Sequence, residues 1–259
     1  MSHRLTGRTI VISGGATGAG GAAARRFAAE GAHVAIIDIN EGAARQTVER
    51  IAASGGRAFQ VAADVSKGAQ VRRATKHVLE TFDGRVDGLF NHAGTVIVKA
   101  FLDCTEEDWD FMMDINVRSM FLMTRAFLPA MLAAGRGAIV NTSSISAVAG
   151  TEKEVLYCTS KGACHMFTRA IAIEYRAAGI RCNAVCPGFV DTDLAQTAIS
   201  AIQKRFELTH EAALAEVVSD NPMGRLIAPD EVVAAVMFLA SPGASMVNGH
   251  ALSVSGGEI

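Results

Sequence analysis

The chain is poor in residues that announce a specialised class. It has one tryptophan, two tyrosines, five prolines and five cysteines among 259 residues. Neither sign of charge dominates: 24 basic side chains face 26 acidic ones, and no basic or acidic tail stands out. That balance excludes the electrostatic footprint of a nucleic-acid binder. No apolar run is long enough to cross a bilayer. The opening residues, Met1-Ser2-His3-Arg4-Leu5-Thr6-Gly7-Arg8, lack the apolar core of a secretion signal, so a cytoplasmic location is expected. The odd number and scattered spacing of the cysteines do not form a disulfide framework. Cys182 and Cys186 lie four residues apart in a strand-like run, which separates them by about 13 Å. No metal site is expected there, and small buried thiols in a reducing compartment fit better.

What the chain has is apolar volume in a regular order. Half of its residues are hydrophobic, enough for one large α/β domain spanning residues 1–259. Strands are expected at Thr9 to Ser13, His33 to Ile37, Arg57 to Val61, Val86 to Phe90, Ala138 to Thr142, Ile180 to Cys186 and Ala251 to Val254. Helical patterns fill the gaps at Gly18–Glu30, Glu41–Ser54, Lys67–Phe82, Glu106–Ala133, Leu156–Ala178 and Pro229–Leu239. This alternation predicts a parallel sheet covered on both faces. The stretch 191–225 breaks the rhythm. It is long and partly helical, and it reads as a substrate lid, against the plainer alternative of a surface insertion.

The first strand runs into Ser13-Gly14-Gly15-Ala16-Thr17-Gly18-Ala19-Gly20, and helix formers follow. Glycines at a strand-to-helix turn let backbone amides approach a pyrophosphate, and the helix N-terminus adds a favourable dipole. Asp38 closes the second strand eighteen residues after Gly20. A carboxylate there accepts from a ribose 2′-hydroxyl and repels a 2′-phosphate. With no Lys or Arg close behind it, NAD is favoured over NADP. The alternative for Asp38 is a helix cap.

Tyr157 and Lys161 are four apart, which puts both on one face of a helix. A phenol is a poor acid or base near neutrality, with an ordinary pKa of about 10, and a neighbouring ammonium lowers it. Tyr157 is thereby a candidate general acid and base. The spacing alone is weak, because a packing Tyr beside a surface Lys would give the same pattern.

Together these motifs resemble the short-chain dehydrogenase/reductase family in its single-domain form, over essentially the whole chain. The glycine pattern Gly14-x-x-x-Gly18-x-Gly20 matches the family fingerprint. Asp64-Val65 matches its adenine-contact motif. Asn91-His92-Ala93-Gly94 is similar to its Asn-Asn-Ala-Gly turn. Asn116 in Asp114-Ile115-Asn116-Val117 resembles its helix Asn. Ser143-Ser144-Ile145-Ser146 matches its catalytic serine segment. Cys186-Pro187-Gly188-Phe189-Val190-Asp191-Thr192 resembles the loop that closes over the nicotinamide.

The resemblance implies a doubly wound Rossmann-type α/β fold with a mainly seven-stranded parallel sheet. It implies a catalytic set of Ser144, Tyr157, Lys161 and Asn116, with Ser144 preferred to Ser143 for its separation from Tyr157. Asn116 would hold a water linking Lys161 to solvent. The implied dinucleotide contacts are Gly14, Thr17, Gly18, Ala19 and Gly20, then Asp38 and Ile39, Asp64 and Val65. Asn91, Ala93, Gly94, Tyr157 and Lys161 would contact the cofactor further along, with Pro187, Gly188, Val190 and Thr192 from the closing loop. Ser13, Ala19, His92 and Ser255 depart from the usual residues. His92 could be read as a base, a role that Tyr157 already fills.

By position in the family, the substrate would meet Val96, Ser144, Ser146, Val148, Glu154, Tyr157, Phe189 and Leu194. Most of these are apolar or small, which suits a largely apolar secondary alcohol or ketone, cyclic ones included. Glu154 reads either as part of an acidic helix start or as a reader of a polar substrate group. Two rivals remain: a 3-oxoacyl-[acyl-carrier-protein] reductase and a non-catalytic dinucleotide sensor. Against the first stand Asp38 and Ile173, the latter where a carrier-binding Arg could sit. Against the second stands the complete Ser144, Tyr157, Lys161 and Asn116 set. The long helices carry surplus apolar residues, among them Phe111, Met112, Met113, Phe121, Met123, Phe127, Met131, Met166 and Phe167, and a homotetramer paired through them is expected.

Overall fold

A computed structural model describes residues 4–259, the side chains of Leu194, Ala198, Ala201 and Arg205 excepted. Seven strands form one sheet: β1 (Thr9–Ser13), β2 (His33–Asp38), β3 (Arg57–Ala62), β4 (Gly88–Asn91), β5 (Gly137–Thr142), β6 (Ile180–Pro187) and β7 (Ala251–Val254). The spatial order is β3-β2-β1-β4-β5-β6-β7, and every pairing is parallel. The order reverses between β1 and β4. In such sheets the crevice beyond the carboxyl ends of the strands at this switch point is where ligands bind.

Helices α1 (Gly18–Ala29), α2 (Glu41–Ala53) and α9 (Pro229–Ala240) pack on one face of the sheet, and α3 (Gly68–Thr81), α5 (Ser119–Ala133) and α6 (Val155–Tyr175) on the other, with α4 (Glu106–Met113) against α6. One core joins Phe27, Ile36, Phe90 and Val236; another joins Val11, Leu89, Phe127 and Met131. Residues of β1 point alternately into both cores, Ile10 and Ile12 to one and Val11 to the other. A doubly covered strand must therefore be apolar throughout, which is why the strands read as continuous hydrophobic runs.

The expected helix over 106–133 is not continuous. A π-helical turn at Asp114–Arg118 separates α4 from α5. It centres on Asn116, whose amide leaves the helix to pair with the backbone of Thr95 in both directions. Such turns are single-residue insertions, common at functional sites, and a periodicity reading cannot see them. The stretch expected to be a lid contains two helices, α7 (Asp193–Phe206) and α8 (His210–Val217). It leaves and rejoins the body through one parallel bridge, Val190 with Ile227, locked by Asp191 N to Ile227 O at 2.8 Å and Ile227 N to Phe189 O at 2.9 Å. Among the described residues, no helix is long and apolar enough to cross a membrane.

Candidate active site

The glycine turn is shaped by crowding. Gly14 has φ +72°, and a Cβ on it would come within 2.8 Å of the Ala93 backbone. A Cβ on Gly20 would lie 2.6 Å from His92 Cδ2. Neither position tolerates a side chain, and the same crowding brings the turns at 14–20 and 91–94 together above the switch point. Ser13 Oγ accepts from His92 N at 3.2 Å and links the two. At the end of β2, Asp38 accepts from Ala16 N through Oδ2 and from Asn40 N through Oδ1, both at 2.9 Å. The cap of α2 is Asn40, which accepts from Ala43 N, so Asp38 does not act as the helix cap. Its carboxylate is instead fixed against the glycine turn, with Ile39 exposed beside it.

Asp64 is similarly posed by Ser66, whose backbone N–H and hydroxyl both donate to Oδ1; Val65 is buried. Asn91 donates through Nδ2 to Thr124 Oγ1 and Asn141 Oδ1, while its Oδ1 has no partner among the described residues. Asn141 passes the chain of hydrogen bonds to Thr168 on α6. A buried polar network therefore ties β4 to β5 and then to the helix that carries Tyr157, and such networks fix relative positions.

On α6, Lys161 is buried and donates from Nζ to Thr142 O at 2.9 Å. The same Nζ lies 5.5 Å from the centroid of the Tyr157 ring and 3.6 Å from where a Gly94 Cβ would stand. The ammonium thus sits between the tyrosine and the 91–94 turn. The two serines separate by their bonds. Ser143 Oγ donates to Lys161 O, whereas Ser144 Oγ accepts from Ser146 N at 3.1 Å and keeps its own proton to donate. Asn116 is fully engaged: Oδ1 accepts from Thr95 N at 2.8 Å, and Nδ2 donates to Thr95 O and Ser160 Oγ.

Burial, reinforced by the positive Lys161, pushes the His92 imidazole down to about 4. Its Nδ1 pairs with Thr142 Oγ1 at 3.0 Å. His92 is a neutral wall behind Gly20 rather than a titrating base. Burial pushes the Cys164 and Cys186 thiols up, with Lys161 opposing it, and the Cys182 thiol to about 12. All three stay protonated and inert at neutral pH.

The closing loop follows β6. Gly188 N donates to Val254 O at 3.2 Å. Thr192 Cγ2 lies 3.5 Å from the Cβ position of Gly18, so the loop reaches across to the glycine turn. Val96 and Ser146 are partly or fully covered, and Val148 and Phe189 are exposed. Leu194 lies outside the described side chains. Sequence reasoning missed the anchors Thr95, Thr142 and Ser160. Two of these act through backbone atoms, which leave no residue signature.

The fold and this arrangement define a dinucleotide-binding oxidoreductase class. A family model described as enoyl-(acyl carrier protein) reductase matches residues 6–258. The chain is 40% identical over 257 residues to "Dehydrogenase/reductase SDR family member 6" of Aquarana catesbeiana, covering 98% of each protein. It is 37% identical over 254 residues to a cyclopentanol dehydrogenase of Comamonas sp., again over 98% of each. A crystal structure of an actinorhodin polyketide ketoreductase variant with NADPH superposes with a TM-score of 0.93 at 31% identity, covering 100% of this chain and 99% of that one. The chain belongs to the short-chain dehydrogenase/reductase family, whose members bind a nicotinamide dinucleotide.

Proposed function

We propose that the protein is an NAD-dependent dehydrogenase that interconverts a secondary alcohol and a ketone. The observation that carries this reading is the convergence of Lys161 Nζ on the Tyr157 ring, Thr142 O and the 91–94 turn. The turn residues fit a dinucleotide: a side chain would fill the cradle at Gly14 and Gly20. Asp38 would hold the adenosine ribose, Asp64 and Val65 the adenine, and the 187–192 loop the nicotinamide end. When bound, the nicotinamide supplies the hydride acceptor or donor.

The chain's own residues manage the proton and the charge. Tyr157 takes the carbinol proton on oxidation and returns it on reduction. Ser144 donates to the substrate oxygen as negative charge develops there, and the Lys161 ammonium stabilises charge on both oxygens. With the Asn116 side chain engaged, its main-chain carbonyl is the atom to hold a water. The described partner of that carbonyl is the weak Cys164 thiol donor.

Asp38 supports NAD, because its carboxylate would face a 2′-phosphate. The cofactor of the ketoreductase structure is that protein's own. A carrier-protein substrate is disfavoured by Ile173, an apolar residue exposed on α6. The mainly apolar pocket residues and the alcohol named for the Comamonas relative support a cyclic or apolar secondary alcohol.

Initial rates with NAD and NADP across aliphatic, cyclic, aryl, sugar and 3-hydroxyacyl thioester alcohols test this reading. Turnover with NAD on one class, reduced at least about 100-fold by Tyr157→Phe with NADH binding retained, is the expected result. NADP-dependent turnover of the thioester would replace it with the carrier-protein reading. Tight NADH binding with no turnover on any class would favour the sensor.

A further inference from the structure

Helices α7 and α8 pack chiefly on each other, so the two legs that join them to the body decide where the pair sits. The Val190–Ile227 bridge ties these legs to one another. The outgoing leg starts at Gly188, whose N–H donates to Val254 O at the end of β7. A Cβ on Gly188 would lie 3.4 Å from Ile227 Cδ1 and 3.7 Å from Ile145 Cδ1. This leg therefore rests beside the residue that follows Ser144.

The returning leg is held by two side chains of unequal weight. Arg225 pairs with Glu231 in solvent, and exposed pairs of that kind hold little. Asn221 is buried and commits its whole amide to its own leg. Its Oδ1 accepts from Met223 N and its Nδ2 donates to Arg225 O, both at 2.9 Å; the first bond closes an Asx turn. What seats Asn221 is Gly256, two residues beyond β7. Gly256 has φ +69°, and a Cβ there would stand 2.2 Å from Asn221 Oδ1. Only glycine fits that approach. Residues 254–256 thus touch both legs, one at Gly188 and the other at Asn221.

We infer that Asn221 is a positioning residue: seated on Gly256, it sets where the returning leg leaves the body and so how α7 and α8 lie over the substrate. It acts through the lid, and the dinucleotide cradle at 14–20 and 91–94 is built from other residues.

This inference rests on the dehydrogenase reading above and on 191–225 being its lid. Its test compares the native protein with Asn221→Ala, Gly256→Ala and the double variant. Amide hydrogen exchange in α7 and α8 is one readout and needs no turnover. The others are KM and kcat for the alcohol of the panel above with the highest kcat/KM, and the Kd of NADH. Each single variant should speed exchange in α7 and α8 and raise the alcohol KM at least about tenfold, with the NADH Kd changed less than about twofold. Gly256→Ala acts by displacing Asn221, so the double variant should be no worse than Asn221→Ala, whereas independent sites would add. Thermal melts verify folding, and Gly256→Ala carries the test if Asn221→Ala does not fold. Unchanged exchange in α7 and α8, additive effects, or a loss of NADH affinity equal to the rise in KM overturns the role of Asn221 and leaves the dehydrogenase reading intact. Faster exchange in the variants, with no alcohol turned over by the native protein, would retain the seat of Asn221 on Gly256 and overturn the dehydrogenase reading.

Discussion

Single residues set the tolerances of the site. Gly20 is the sharpest case, since any side chain would meet His92 and the Gly14 backbone. Gly20→Ala should weaken NADH binding at least about tenfold, or 1.4 kcal/mol, measured by fluorescence titration. His92 sets a pH dependence. Its imidazole is held neutral down to about 4, whereas in the unfolded chain it titrates near 6.5. Between those values the unfolded state binds the extra proton, so stability rises with pH through that window and is complete above it. The slope from this group is at most about 1.4 kcal/mol per pH unit. His33, lowered by burial and by Arg57, contributes with the same sign. Denaturant titrations from pH 4 to 7 should show His92→Asn with a flatter slope than the parent protein.

Elements, rather than residues, decide how well the site could be read in advance. The strands and the glycine turn were legible because two-sided burial and close backbone approach both leave strong composition signals. The break at Asp114–Arg118 was not legible. Its cause is a pairing between Asn116 and a backbone far along the chain at Thr95, which no local period encodes. Asn116→Leu removes both bonds and should melt the π turn back toward regular helix, lowering both activity and Tm; amide hydrogen exchange at Thr95 reports the loss. A second stitch lies at the opposite end of the sheet. Asp87, just before β4, receives Arg8, Arg136 and the Thr9 amide. Burial pushes its carboxyl up, but these bonds outweigh it and hold it below the usual carboxylate range. Its contribution is present above about pH 4 and is lost as pH falls through the depressed folded value. Asp87→Asn should cost about 1 kcal/mol at neutral pH, because its arginine partners reach it from solvent, and should weaken the acid dependence seen in urea titrations.

At the scale of the whole molecule, packing sorts the surplus apolar residues of the long helices. Met112, Met123, Phe127 and Met131 are buried and Met113 and Phe167 half-buried, whereas Phe111, Phe121, Met166 and Ile173 remain exposed on α4, α5 and α6. A sequence pattern counts both groups together; only packing separates them. We propose that the exposed set is the pairing surface of a homotetramer. Sedimentation of the native protein should give a mass near four chains, and Phe121→Glu should shift it toward smaller species. A monomer at micromolar concentration would refute the assembly.

The segment 191–225 is framed by the Val190–Ile227 bridge, and it also meets the body through the Arg225–Glu231 ion pair and through Asn221, which lies against Gly256. No strand of the sheet lies between those two anchors, so an exchange there that keeps the Asn221 and Arg225 contacts leaves every strand register in place. We propose that residues 191–225 are an exchangeable substrate lid: a relative's segment grafted between the same two anchors should carry its substrate range with it while the cofactor preference, set by Asp38, stays with the recipient.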